Sequence, residues 1–256
     1  DLAAKDYRLN LWTHAFTHPT SPLHPKLEAQ SGDYLVWGGL VPDFADSAAR
    51  REFARFHKKE HVDLGVSGYK LDECDNSDFV GSPWSFPEFS RFPSGLDGEQ
   101  MHSALGGLYA KTINSIYDEM GQRTYSLVRS GGALAAPLPF VLYSDLYDHR
   151  TFLRGVAVSG FSGLLWTPEV RHAASAEDLI RRVQAVVFSP QAHVNSWYIK
   201  NPPWEQWNRN ANNADELAED REAVTEVCRR FFRLRMQFLP YLYSAFVEYH
   251  RTGLPP

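Results

Sequence analysis

Cysteine is scarce in this chain: Cys74 and Cys228 are the only two among 256 residues. Two distant thiols form neither a disulfide framework nor a zinc-ribbon spacing. They lean toward a reducing compartment, or toward a fold that needs no covalent staples. Long apolar runs are also missing; no stretch approaches the length of a bilayer span, so no membrane partner is expected. Positive charge is not in excess: the formal net charge is −5, which argues against a nucleic-acid surface. No signal-peptide pattern opens the chain. It begins at Asp1 and stops at Pro255-Pro256 after a helix-like segment. Both ends read as cut, which leaves localisation and oligomeric state open.

What is present is a substantial core and many rings. Hydrophobic residues make up 43% and aromatics 14%, with 7 Trp and 12 Tyr. Aromatic faces line sugar clefts, but they also fill large cores. Short apolar strands alternate with helical stretches, the pattern of βαβ units. Strands are expected over 8–12, 65–72, 124–128, 140–143, 163–166 and 192–199. A loop rich in His and Pro follows the first strand through Pro25. The stretch 34–44 holds a Gly38-Gly39 break and a Pro42-Asp43 turn. Asp46 or Ser47 can cap a helix running to about His61, with Phe53 and Phe56 inward. Further helices are expected over 100–120, 149–159 and 178–187. The region from 214 onward is mostly helical, broken near Pro240 and ended at Gly253. Residues 76–98 form a long loop, and long loops on such scaffolds are usually functional. The expected class is α/β, a (β/α)8 barrel. Only five or six alternations are visible where a closed barrel needs eight, so the barrel is incomplete at its N-terminal side.

Two acidic residues stand directly after apolar strands. Asp72 follows Gly65-Val66-Ser67-Gly68-Tyr69-Lys70-Leu71, and Glu73, Asp75 and Asp78 crowd behind it. Asp145 follows Phe140-Val141-Leu142-Tyr143. Barrel enzymes carry their chemistry at such strand ends. Cleaving a glycosidic bond needs two carboxyl groups flanking the anomeric carbon, about 5–5.5 Å apart when configuration is retained. The plainer reading is that acids at strand ends are helix caps or solvated loop charges.

The run Gly68-Tyr69-Lys70-Leu71-Asp72-Glu73 resembles the nucleophile strand of glycoside hydrolase family 31, in the version with Lys-x-Asp. Arg129-Ser130 resembles the Arg-Ser element of that family, and Asp145 stands sixteen residues beyond Arg129, about where the family carries its acid/base. Gly160-Phe161-Ser162-Gly163-Leu164-Leu165-Trp166 resembles the next barrel strand. The helices with Pro240-Tyr241-Leu242-Tyr243 and His250-Arg251-Thr252-Gly253-Leu254-Pro255 resemble the approach to a C-terminal β-domain, itself absent here. The resemblance implies one partial catalytic barrel over 1–256 that hydrolyses an α-linked glycoside or oligosaccharide with retention. It implies Asp72 as nucleophile and Asp145 as acid/base, with sugar contacts from Lys70, Arg129, Trp166, Glu169 and Asn195. Lys70 also favours an ionised Asp72 by charge proximity. This chemistry requires neither metal nor cofactor.

The chain departs from the family pattern in two places. Pro168-Glu169-Val170-Arg171 stands where most members carry His-Asp-Ile-Gly, and Val194-Asn195 stands near a usual sugar-binding His. These departures imply a sugar other than plain α-glucose, with galactose-type or N-acetylated sugars favoured. Other motifs compete. His57-Lys58-Lys59-Glu60-His61 matches the His-x-x-Glu-His pattern of inverted zinc proteases, and would make a zinc-dependent hydrolase of His57, Glu60 and His61. The plainer reading is a charged, solvent-facing helix end. His14 and His18 most simply line a loop near a cleft mouth. Gly38-Gly39 and Gly131-Gly132 fit no phosphate loop. Trp84, Trp197, Trp204 and Trp207 are either sugar platforms or packing. A catalytically inactive glycan-binding relative is the non-enzyme alternative.

Overall fold

The structure, a computed structural model, describes residues 2–74, 85–145 and 147–254. Residues 76–84 of the expected loop over 76–98, with Asp78 and Trp84, and Asp75 just before it lie outside the described residues. The chain forms two compact units, Asp1–Leu142 and Tyr143–Pro256.

In the first unit, strand β1 (Leu9–His14) leads through a one-turn helix α1 (His24–Leu27) to strands β2 (Ser31–Val36) and β3 (Gly39–Pro42). Helix α2 (Ser47–Glu60), strand β4 (Val66–Asp72), helix α3 (Gly98–Glu119) and strands β5 (Ser126–Val128) and β6 (Phe140–Tyr143) follow. β1, β4, β5 and β6 pair in that order and all in parallel. The register sets His14 opposite Asp72, so both residues emerge at the same strand ends. The stretch read as a broken segment at Gly38-Gly39 is an antiparallel hairpin of β2 and β3. Trp37 and Gly38 turn it with φ of 52° and 72°, the doubly positive geometry of a tight hairpin turn. Pro25 lies within α1 near its start rather than in open loop.

Local chemistry explains the helices. Asp46 caps α2 by accepting from Ala48 N. Ala49, Phe53 and His57 recur at every fourth position and form its buried stripe, as a 3.6-residue period requires. Asp97 and Gln100 cap α3 reciprocally. The parallel strands approach closely at Gly68, where an added Cβ would stand 1.9 Å from the Tyr125 carbonyl oxygen. That oxygen accepts from Asn10 Nδ2, while Thr124 Oγ1 donates to Ser67 O. The buried rings of Phe44, Phe53, Tyr69 and Tyr109 fill the space behind β4.

In the second unit, helix α4 (His149–Phe161), strands β7 (Trp166–Thr167) and β8 (Glu169–Val170), helix α5 (Ala176–Val187) and strand β9 (His193–Val194) precede helices α6 (Arg209–Asn213) and α7 (Arg221–Thr252). β8 and β9 pair in parallel, Glu169 opposite His193. Leu179, Val183, Val186 and Val187 of α5 pack with Val224 and Cys228 of α7. Two expectations need correction. The last strand covers two residues instead of 192–199, because the Asn195 side chain accepts from Trp197 N and turns the chain. α7 is not broken at Pro240 but runs through it. Proline removes one backbone donor, and a 32-residue helix absorbs that single loss. Gly253 ends it in the left-handed region at φ 78°, as its position implied.

The architecture is a parallel α/β scaffold of TIM-barrel type, and its strands do not close into a barrel among the described residues.

Candidate active site

Asp72 is the last residue of β4 and is buried, 6% exposed. Trp12 Nε1, from the neighbouring strand, donates to its Oδ2 at 2.7 Å. Arg129 Nη1 pairs with its Oδ1 at 3.2 Å, and the Glu73 N–H donates to the same oxygen at 2.8 Å. Three donors, one of them a guanidinium cation, meet this carboxylate and fix both its position and its rotamer. Arg129 is delivered there by the ladder itself, since its N–H donates to Leu71 O and so continues the β4–β5 pairing. Glu73 takes a left-handed φ of 60°, costing roughly 1–2 kcal/mol, and turns the chain out of the strand directly after Asp72. Lys70 lies two residues before Asp72 and shares its face of the strand. α3 approaches this loop at Gly106, where a Cβ would stand 1.9 Å from the Ser130 carbonyl oxygen.

His14, opposite Asp72, is not a loop residue but the end of β1. Its ring packs edge-on against Trp12 and Trp37, centroids 5.3 and 4.9 Å away. Burial lowers its pKa, and the Asp72 charge opposes that shift. His18 is exposed and bonds Thr20. Trp12 was not singled out in the sequence; its only signal is an indole two residues before the end of a strand.

The second unit builds a different cluster. Glu169 on β8 is 3% exposed. Its Oε1 accepts from Asn195 Nδ2 at 2.8 Å and lies 2.6 Å from the Tyr147 hydroxyl. The same hydroxyl lies 2.8 Å from Asp145 Oδ1. Burial first, and then the bond to Glu169, push the Tyr147 phenol well above its usual range. The Arg171 guanidinium lies over the Tyr147 ring, 3.1 Å from its centroid, and His193 Nδ1 is 3.7 Å from Glu169 Oε2. Trp166 is buried against Gly155, and its Nε1 donates to Ser144 Oγ, beside Asp145. Tyr147 joins Asp145, Glu169 and, through Glu169, Asn195, yet the sequence offers no sign of it beyond its closeness to Asp145.

The zinc reading fails. His57 does not face solvent: it is 5% exposed, stacks on Phe53 at 4.1 Å and bonds the Phe53 carbonyl through Nδ1. Burial pushes its pKa down to about 4. The stripe of α2 puts it inside, while Lys59 and Glu60 are exposed. The His61 ring is within 3.3 Å of the Tyr69 hydroxyl. Among the described residues no group of three His, Cys, Asp or Glu side chains could hold a metal ion, and no helix is long and apolar enough to cross a membrane. Trp197 is exposed and stacks on Tyr198, whereas Trp204 and Trp207 pack against the α5–α7 core.

The scaffold is parallel α/β of TIM-barrel type with carboxylates at its strand ends, where barrel enzymes carry their chemistry. The chain belongs to glycosyl hydrolases family 31: the model of that family's TIM-barrel domain matches residues 15–245. Alpha-glucosidase 2 of Bacillus thermoamyloliquefaciens is 25% identical over 249 residues, covering 86% of this chain and 28% of that protein. Among solved structures, a GH31 family sulfoquinovosidase from E. rectale superposes with a TM-score of 0.76 at 16% identity, over 99% of this chain and 40% of that one. A GH31 alpha-xylosidase from a soil metagenome gives 0.74 at 21% identity, over 99% and 42%. The chain thus spans less than half the length of each of these relatives.

Proposed function

We propose that the protein is a retaining α-glycosidase. Asp72 attacks the anomeric carbon, and Asp145 protonates the leaving oxygen. Asp145 then takes a proton from the water that opens the glycosyl-enzyme. The observation that carries this reading is the holding of Asp72: indole, guanidinium and backbone donors converge on one carboxylate at a strand end. The guanidinium favours its ionised, nucleophilic form. Membership of family 31 and the likeness to an alpha-glucosidase agree with it. Lys70, Arg129, Trp166, Glu169 and Asn195 shape the sugar subsite, and the substrate is an oligosaccharide or simpler α-glycoside. Asn195 enters that role with its amide already oriented, Nδ2 toward Glu169 and Oδ1 toward Trp197 N. The mechanism requires no cofactor.

The test is to trap the intermediate with a 5-fluoro α-glycosyl fluoride and map the label by mass spectrometry. The expected site is the peptide carrying Asp72, with the α-anomer as first product by NMR. A β-anomer as first product would mean inversion and end the proposal.

A further inference from the structure

We propose that the pocket beside Tyr147 binds an oxyanionic group of the substrate, a carboxylate or a phosphate, so that the enzyme acts on acidic α-glycosides. This rests on the reading of the protein as an α-glycosidase with Asp145 as its acid/base.

Two cations stand here without an acidic partner. Arg171 directly follows β8 and Arg209 opens α6. Neither forms an ion pair among the described residues. Both guanidiniums lie close to one ring: the Tyr198 centroid is 5.4 Å from Arg171 Cζ and 4.9 Å from Arg209 Cζ. Arg171 also lies over the Tyr147 ring. An aromatic face orients a guanidinium but gives it no lone pair, so the N–H donors stay available. The chain carries a formal net charge of −5, so acids are plentiful elsewhere. Glu169, two residues before Arg171, is engaged by Tyr147 and Asn195 instead.

The polar atoms nearby call for the same kind of partner. Arg171 Nε and His172 Nδ1 are buried and make no hydrogen bond among the described residues. An arginine Nε–H can only donate, and a buried donor left without an acceptor is costly. Burial first, and then the charges of Arg171, Arg209 and Arg182, hold the His172 imidazole below its usual range. A neutral imidazole still has one N–H to offer.

A cavity of about 350 Å³ lies against these groups, lined by Tyr147, His172, Asp178, Arg182, Asn208 and Arg209 among others. Its volume is at the lower end of small-ligand sites. The one carboxylate in that lining is committed: Asp178 Oδ1 pairs with Arg182 at 2.9 Å, and its Oδ2 accepts from Ala174 N. The charge left over is that of Arg209 and the adjoining Arg171. Guanidinium forks match the paired oxygens of carboxylate and phosphate. Tyr147 is the wall shared with the proposed catalytic cluster, since its hydroxyl reaches Asp145 Oδ1 at 2.8 Å and Glu169 Oε1 at 2.6 Å. A sugar seated at Asp145 therefore has a cationic pocket one ring away.

The experiment measures kcat/KM of the intact protein on aryl α-glycosides paired so that one member carries the charge. For the glycone the pairs are glucuronide against glucoside, galacturonide against galactoside, and glucoside 6-phosphate against glucoside. For the leaving group the pair is 4-carboxyphenyl against 4-carbamoylphenyl glucoside. Each is run on the parent, Arg209→Gln and Arg171→Gln. Arg209 is exposed, so its replacement does not disturb a core, and it serves if Arg171→Gln does not fold. In at least one pair the parent should favour the acidic member, and both variants should lower that ratio by about tenfold or more, the worth of one charge-assisted hydrogen bond. The pair that responds places the anion on the glycone or on the leaving group. Damage to structure alone would slow both members alike and leave the ratio where it was. If neutral members are turned over and no ratio moves in either variant, the anion site is overturned and the glycosidase reading stands. If no member of any pair is turned over and the Asp72 peptide takes up no label from the glycosyl fluoride, the glycosidase reading falls and the inference with it.

Discussion

Arg129 Nη1 stands 3.2 Å from Asp72 Oδ1, an ion pair across two adjacent parallel strands with the side chains only 20% and 8% exposed. A lysine could supply the charge but not the planar fork. Arg129→Lys should therefore lower kcat/KM on an aryl α-glycoside by about a hundredfold, the range expected when a reacting group is misplaced by about 1 Å. Steady-state kinetics test this. Activity within threefold of the parent would show that Arg129 does not hold the nucleophile.

The close approach of α3 to the Arg129-Ser130 loop makes Gly106 a second route to the same group. A methyl there would stand 1.9 Å from backbone oxygen, which cannot swing aside as a side chain can. Gly106→Ala should cost about 1–3 kcal/mol of stability and reduce activity at permissive temperature. Denaturant unfolding and kinetics on the same preparation measure both. An unchanged midpoint together with unchanged kcat/KM would mean that the loop has slack.

His57 gives a pH dependence with a definite sign. An unfolded imidazole binds its proton near 6.5, the buried one only near 4. Between these values the unfolded state holds more protons, so stability rises with pH. It is complete above 6.5 and is lost as pH falls toward 4, by about 3 kcal/mol. His57→Phe should flatten that part of the stability curve. Denaturation midpoints at pH 7 and pH 4.5 decide; equal slopes in parent and variant would contradict the assignment.

Sugar choice is expected to follow the Glu169–Asn195 bond. An amide held at both ends presents a fixed remaining donor and acceptor, and a site built to bond one hydroxyl discriminates strongly against its epimer. The expected order is a higher kcat/KM for an aryl α-galactoside or α-N-acetylgalactosaminide than for the α-glucoside. Asn195→Asp should erode the preference by at least tenfold. A clear preference of the parent for the glucoside would dispose of the idea.

Much of this was legible in the sequence because its signals are local. Asp46 caps a helix two residues away, and Gly253 ends one at its own position. The Lys70-Leu71-Asp72 and Arg129-Ser130 motifs mark strand ends that the ladder then brings together. What escaped is non-local or two-sided. Trp12 meets Asp72 across 60 positions. His57 carries a polar label inside an apolar stripe. Asn195 stops a strand through its side chain, a choice that composition does not reveal. Tyr147 gains its meaning only when Glu169, 22 positions on, is folded against it.

The indole of Trp12 donates directly to the carboxylate proposed as nucleophile, at 2.7 Å. Once Asp72 is esterified it no longer bears a charge, and the ring loses an anionic neighbour at one end of its dipole. Indole emission responds to such a change in local field. On the proposed mechanism, Trp12 is a built-in optical gauge of the fraction of Asp72 that is glycosylated during turnover. Subtracting the signal of a Trp12→Phe variant would separate that gauge from the other six tryptophans of the seven in the chain.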